Sequence, residues 1–174
     1  MGFETIIAAA ISVIILMAVS FSLLMGIYAS MDSMSMAMKT AMDNKNDQFK
    51  TRLSVDYDHV EIYNKNITFV LTNTGDTKIV DIKKMDIVIT IYNNSVNNTY
   101  WIPYAEDINS TSLGWKDEAI KPDVINPGVL DPAENMTCRV VVPDPPVTGT
   151  LCRLALATPN GAMTSGYFHV INNV

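Results

Sequence analysis

Residues 5–31 read TIIAAAISVIILMAVSFSLLMGIYASM, a run without a single charged side chain. As an α-helix rising ~1.5 Å per residue it reaches roughly 40 Å, more than the ~30 Å hydrocarbon core of a bilayer. A helix satisfies its backbone polar groups internally, so a run of this kind can rest in lipid as a single span. Its small residues, among them Ala8, Ala9, Ala10, Ser12, Ala18, Ser20, Ser22 and Gly26, leave grooves where a second helix can approach closely. Two readings follow: a simple membrane anchor, or a packing helix that also assembles with its neighbours.

The next stretch extends the helix. Residues 32–50, DSMSMAMKTAMDNKNDQFK, contain no Gly or Pro. Met31, Met34, Met38 and Met42 recur at spacings of three and four, which lays them along one helical face. Methionine fills irregular gaps and tolerates imperfect neighbours. Such a stripe packs either against the domain below or against sister helices. A helix of this length is stable only if something covers the stripe.

Beyond the helix the period falls to two. Leu53, Val55 and Tyr57 alternate with polar residues, and Val60 and Ile62 continue the alternation to the turn Asn64-Lys65-Asn66. Ile67–Thr72 predicts a second strand, closed by a turn at Asn73-Thr74-Gly75-Asp76 in which Gly75 supplies a positive φ. Ile79–Ile82 begins a third strand and Asp86–Tyr92, rich in β-branched residues, is a fourth. Thr99–Ile102 closes the polar loop that follows. Residues 103–134, with four prolines, form a long irregular connection with short strands at its ends. Asn135–Val142 and Thr150–Thr158 are strands joined across residues 143–149, and Pro159-Asn160-Gly161 turns the chain into a last strand, Ser165–Ile171. The fold class is therefore α+β: a hydrophobic helix over residues 1–50, then an immunoglobulin-like antiparallel β-sandwich of seven or eight strands over 51–174.

Charge and modification motifs bound the function. The chain of 174 residues carries a net charge of −6 with the acidic excess spread thinly, which argues against a nucleic-acid partner. The first basic residue is Lys39, so no positively charged region precedes the apolar run, unlike an ordinary secretory signal. Acceptor patterns for N-glycosylation occur at Asn66, Asn93, Asn97, Asn109 and Asn135, all beyond the span; they either mark modification of a body outside the cell or belong to a merely Asn-rich polar surface.

No catalytic motif is present: there is no Gly-rich phosphate loop after a strand, no Gly-x-Ser-x-Gly and no His-Glu-x-x-His. His59 and His169 are isolated. Glu106, Asp107, Asp117, Glu118, Asp123 and Asp131 gather in the long connection, either as a Ca²⁺ site or, more commonly for such loops, as a solvated acidic surface. Trp101, Tyr104 and Trp115 either anchor a protein interface or plug one end of the sandwich. Cys138 and Cys152 lie symmetrically about Pro145, so a hairpin centred there sets them opposite one another for a cross-strand disulfide. The alternative is two buried, reduced thiols. Two cysteines without paired ligands do not complete a metal site. The reading is of a non-enzymatic protein with no cofactor.

The opening Met-Gly-Phe with its apolar span, Phe69-Val-Leu-Thr-Asn-Thr-Gly-Asp-Thr77, Pro127-Gly128 and Leu156-Ala-Thr-Pro-Asn-Gly161 come in an order that resembles archaeal flagellar (archaellum) accessory proteins of the F and G type, within the type IV pilin-like superfamily. Asp76 stands where that family commonly has Ser, and residues 103–134 exceed the expected connection. The resemblance implies a membrane or filament helix, an immunoglobulin-like head outside the membrane and no enzymatic activity. It also implies a role at the archaellum base as a stator that binds the S-layer, some members forming short filaments. In pilin-type subunits an early acidic residue pairs with a neighbour's N-terminus, a role that would fall on Glu4; the alternative is an interfacial charge at the helix start. No Lys/Arg-Gly precedes the run, so no prepilin cleavage site is visible.

The residues accommodate three functions: an anchored component of an archaellum-like machine, the filament subunit itself with glycosylated heads, or a membrane-tethered adhesin. In each the location is the cell surface, in the membrane or in an extracellular filament, with the head outside. In the first two the chain forms a homo-oligomer or filament through the helix.

Overall fold

The computed structural model of the chain describes residues 2–92, 97–108 and 112–171. It divides into two units, Met1–Lys45 and Asn46–Val174. Helix α1 spans Phe3–Lys50, without Pro and with Gly only at Gly26. None of its residues is buried. Ser12, Ser20 and Thr40 return their hydroxyls to the carbonyls of Ala8, Leu16 and Met36, at 2.8, 2.8 and 3.0 Å. These polar groups are thereby satisfied within the helix, and its surface there is apolar in effect.

The second unit is a two-layer β-sandwich. One sheet contains β1 (Leu53–Val55), β2 (Glu61–Tyr63), β3 (Asn66–Asn73), β6 (Gly114–Lys121) and β7 (Asn135–Val141), in the order β1-β3-β7-β6 with β2 also pairing β3. The other contains β4 (Asp86–Tyr92), β5 (Asn97–Ile102), β8 (Leu151–Ala157) and β9 (Met163–His169), in the order β5-β4-β8-β9. Every pairing between these strands is antiparallel.

The alternation of the central strands builds the core. Ile67, Phe69 and Leu71 of β3 and Met136, Cys138 and Val140 of β7 point inward from one sheet; Ile87, Ile89 and Ile91 of β4 and Cys152, Leu154 and Leu156 of β8 point inward from the other. Each fully buried aliphatic side chain of this kind contributes about 1.5–3 kcal/mol.

Three local expectations are corrected. Ile79–Ile82 is not a strand: Ile79 makes a single bridge to Leu130, and Ile82–Lys84 is a 3₁₀ turn whose Lys84 and Met85 N–H groups bond the carbonyls of Asp81 and Ile82. The connection 103–134 holds a full eight-residue strand, β6, whose register slips at a bulge between Asp117 and Ala119. Its Trp115 is wholly buried and meets Tyr104 edge-on, ring centroids 5.1 Å apart, so this pair is a core plug. Third, β7 and β8 do not form a hairpin; residues 142–150 carry the chain from one sheet to the other.

Candidate assembly surface

Along α1 the structure brings the methionines together as the spacing requires. Met31, Met34, Met38 and Met42 line one open groove bordered by Lys39 and Asp43. A second groove on the same helix runs from Ser22 through Gly26 and Ser30, where Gly26 has nothing within 4 Å of a would-be Cβ. Ala8 and Ala18 are exposed, as is Glu4 in the first turn. A neighbouring backbone can approach such a surface closely, and methionine adapts to what it meets.

Within the second unit, residues 46–50 are tied to the sheets by a compact set of contacts. Asn73, the last residue of β3, is completely buried. Its Nδ2 donates to the carbonyls of Thr77 and Leu130, at 2.9 and 3.0 Å, and its Oδ1 accepts the Gly75 N–H at 3.1 Å. The turn so held presents the Asp76 N–H to the Lys50 carbonyl at 2.8 Å and the Thr74 N–H to the Arg52 carbonyl at 2.9 Å. Gly75 is not among the glycines with positive φ. Glycine is required there because a Cβ would overlap the Lys50 oxygen and the Arg52 nitrogen. Gln48 donates to the Gly161 carbonyl at 2.6 Å and Asn160 to the Thr51 hydroxyl at 2.8 Å. The motifs Asn73-Thr-Gly and Pro159-Asn-Gly161 thus meet at the helix exit, a convergence that their separation in sequence conceals.

The cysteines do not form the expected cross-strand disulfide. Cys138 lies on β7, in register with Phe69 and Asp117, and Cys152 on β8, in register with Ile91 and Phe168; the two strands belong to different sheets. Both are free thiols in the core. Burial pushes the Cys138 thiol far above its ordinary value, with a smaller push from the Asp117 charge, and burial raises Cys152 to about 11.

The acidic residues of the long connection are dispersed among separate partners. Glu106 pairs with Lys83 at 2.6 Å, and that lysine draws its carboxyl below the usual range. Asp117 accepts the Tyr104 hydroxyl at 3.0 Å, Glu118 pairs with Arg139, Asp123 accepts the Gly128 N–H and Asp131 the Asn126 amide. Among the described residues no three His, Cys, Asp or Glu side chains are grouped to hold a metal ion. His59 rests on Asp56 at 2.8 Å, exposed, and His169 is exposed on β9.

Of the glycosylation patterns, Asn93 and Asn109 fall outside the described residues. Asn97 is exposed at the start of edge strand β5, and Asn135 is exposed at the start of β7, accepting the Thr72 hydroxyl at 2.7 Å. Asn66 is half-buried between β2 and β7, with its Oδ1 enclosed. Trp101 is largely exposed and bonds Asp86 through its Nε1 at 2.9 Å.

Comparison with known proteins gives four findings. The family model for archaeal-type flagellin matches residues 2–168. An uncharacterized protein of Archaeoglobus fulgidus is 29% identical over 174 residues, covering 98% of each chain. Among solved structures, the archaeal flagellum of Methanospirillum hungatei strain JF1 is similar over 100% of this chain and 96% of its own, with a TM-score of 0.56 and 17% identity, a likeness of fold. The archaellum periplasmic stator protein FlaG from Sulfolobus acidocaldarius covers 68% of this chain and 99% of its own, with a TM-score of 0.48 and 19% identity.

Proposed function

The chain belongs to the archaeal-type flagellin family, and we propose that it works as a non-enzymatic structural subunit that assembles through α1, its β-sandwich head lying outside the membrane against neighbouring subunits or the S-layer. It is an archaellum-related structural protein; the proposal concerns how it is built in.

One observation carries this reading: the exposed apolar surface of α1 is longer than lipid covers. A bilayer core accounts for about 20 helical residues. The charge-free run 5–31 already exceeds that, and the Met34, Met38 and Met42 surface continues past it among Asp32, Lys39 and Asp43. Apolar surface beyond the lipid requires protein cover. Neighbouring copies supply it, and the small residues within 5–31 permit close approach of sister helices there. A second reading, an anchored stator-type component, is favoured by the same run 5–31, which suffices to span a membrane once.

Electron microscopy of appendages sheared from the native cell, with mass spectrometry of their subunits, tests this. Long filaments dominated by this chain establish it as the polymer, with α1 in the core. Its absence there and retention in envelope fractions establishes the anchored component. Recovery as an unassociated monomer overturns assembly through α1.

A further inference from the structure

We infer that the head carries a docking tip, Val124-Ile125, for the methionine groove of a second copy of this chain. This rests on the assembly reading and gives it a specific intermolecular contact.

The tip is the most conspicuous unexplained apolar feature of the head. Val124 and Ile125 are 76% and 77% exposed, close to what an unfolded chain would show, although both belong to a firmly held loop. Asp123 accepts the Gly128 N–H at 3.2 Å, with Gly128 in the left-handed region at φ +82°. Asn126 grips the Asp131 carboxylate at 2.9 and 3.0 Å, and Leu130 exchanges both backbone bonds with Ile79, at 3.0 and 3.1 Å. A loop fixed in this way presents its side chains with little ordering left to do, which favours binding. The loop returns through Leu130, whose carbonyl Asn73 holds, to the same end of the head at which Gly75 and Asp76 bond residues 50–52.

The occupant is chosen by complementarity. The groove lined by Met31, Met34, Met38 and Met42 is apolar, adaptable and exposed, and Lys39 and Asp43 border it. The tip is bordered by Asp123 and Lys121, both exposed. Lys39 and Asp43 at the groove and Lys121 and Asp123 at the tip give each surface one charge of each sign to set against the other's. A lipid surface has no use for charges of both signs at the rim, and apart from Met31 the groove lies beyond the charge-free run. Tip and groove are different surfaces of one chain, so the contact is heterologous. Each added copy presents a fresh tip and a fresh groove, and such contacts build rings or open helical polymers. Flexible methionine receiving a rigid branched pair suits a contact repeated with small variations along a polymer.

The test uses the full chain, purified in detergent and allowed to associate on detergent removal. Two variants, Met38→Cys and Ile125→Cys, are prepared separately, mixed, associated and oxidised. The native thiols are buried and do not compete. The expected result is a disulfide joining position 38 of one chain to position 125 of another, identified by peptide mass spectrometry. Ile125→Asp, a surface change that leaves the fold intact, is expected to weaken association by about tenfold or more. Wild-type association with no 38–125 cross-link and an unaffected Ile125→Asp variant overturns the tip contact and leaves assembly through α1 standing. Loss of vesicle binding in Ile125→Asp with association unchanged makes the tip a lipid contact and overturns it likewise. A wild type that never associates overturns both readings together.

Discussion

Asn73→Ala is expected to be among the most damaging single changes in the head. The side chain makes three hydrogen bonds in a site closed to water, two donated to the Thr77 and Leu130 carbonyls and one accepted from Gly75. With each bond worth about 1 kcal/mol net, and two carbonyls left without these donors, the loss is about 3 kcal/mol, within a range of roughly 2–4. For a head of this size that corresponds to a fall in Tm of about 10–15 °C. The assay is thermal unfolding of the full chain followed by near-UV circular dichroism, where the buried Trp115 reports head packing. Asn73→Asp discriminates the mechanism. It keeps the acceptor for Gly75 but sets an oxygen against two carbonyls, so it should be at least as harmful as alanine. Asn135→Gln, exposed on β7, should stay within about 0.5 kcal/mol of wild type. A fall below about 3 °C for Asn73→Ala, or an Asp variant as stable as the native chain, refutes the reasoning.

Gly75→Ala is expected to cost about 1–3 kcal/mol, because its Cβ meets backbone atoms of residues 50–52 that cannot yield without moving the helix exit; urea unfolding measures it. Ala18→Lys should abolish association without altering the head's near-UV spectrum, since it puts a charge on the small-residue face of α1; sedimentation reads the change, and persistence of the assembly would count against packing through that face. The buried thiols make the head sensitive to alkali. An unfolded Cys152 ionises near 9 and the folded one near 11, so their contribution is intact below pH 9 and lost as pH rises toward 11, and Cys138, raised further, extends the loss; Tm against pH should fall less steeply in Cys152→Ala. Glycopeptide mass spectrometry of the native protein should find Asn97 and Asn135 occupied and Asn66 bare, because Asn66 is half-buried and its amide nitrogen donates to the Tyr63 carbonyl.

Much of the head was legible because strand alternation is a local signal. Ile67–Thr72, Asp86–Tyr92 and the strands of the last third appear within a residue or two of where periodicity sets them. The strand β6 escapes the periodicity because Gly-Trp-Lys-Asp-Glu-Ala-Ile-Lys carries its burial in the adjacent Gly114 and Trp115 and is interrupted by a bulge, which breaks the period of two. Ile79–Ile82 reads as a strand by composition, yet only Ile79 finds a partner and the chain turns instead.

The sequence by itself determined the helix and its two chemistries, because helix length, absence of charge and methionine spacing are properties of neighbouring residues. It also determined that the remainder is a sandwich of short strands. Which strands share a sheet is set by contacts between residues far apart in the chain, and only the tertiary structure decided it. A symmetric spacing about Pro145 fits a hairpin and a crossover equally well, and the crossover sends Cys138 and Cys152 into opposite layers. The reason for Gly75 is likewise tertiary: it is a close approach to the exit of α1, invisible until residues 50–52 are packed against it.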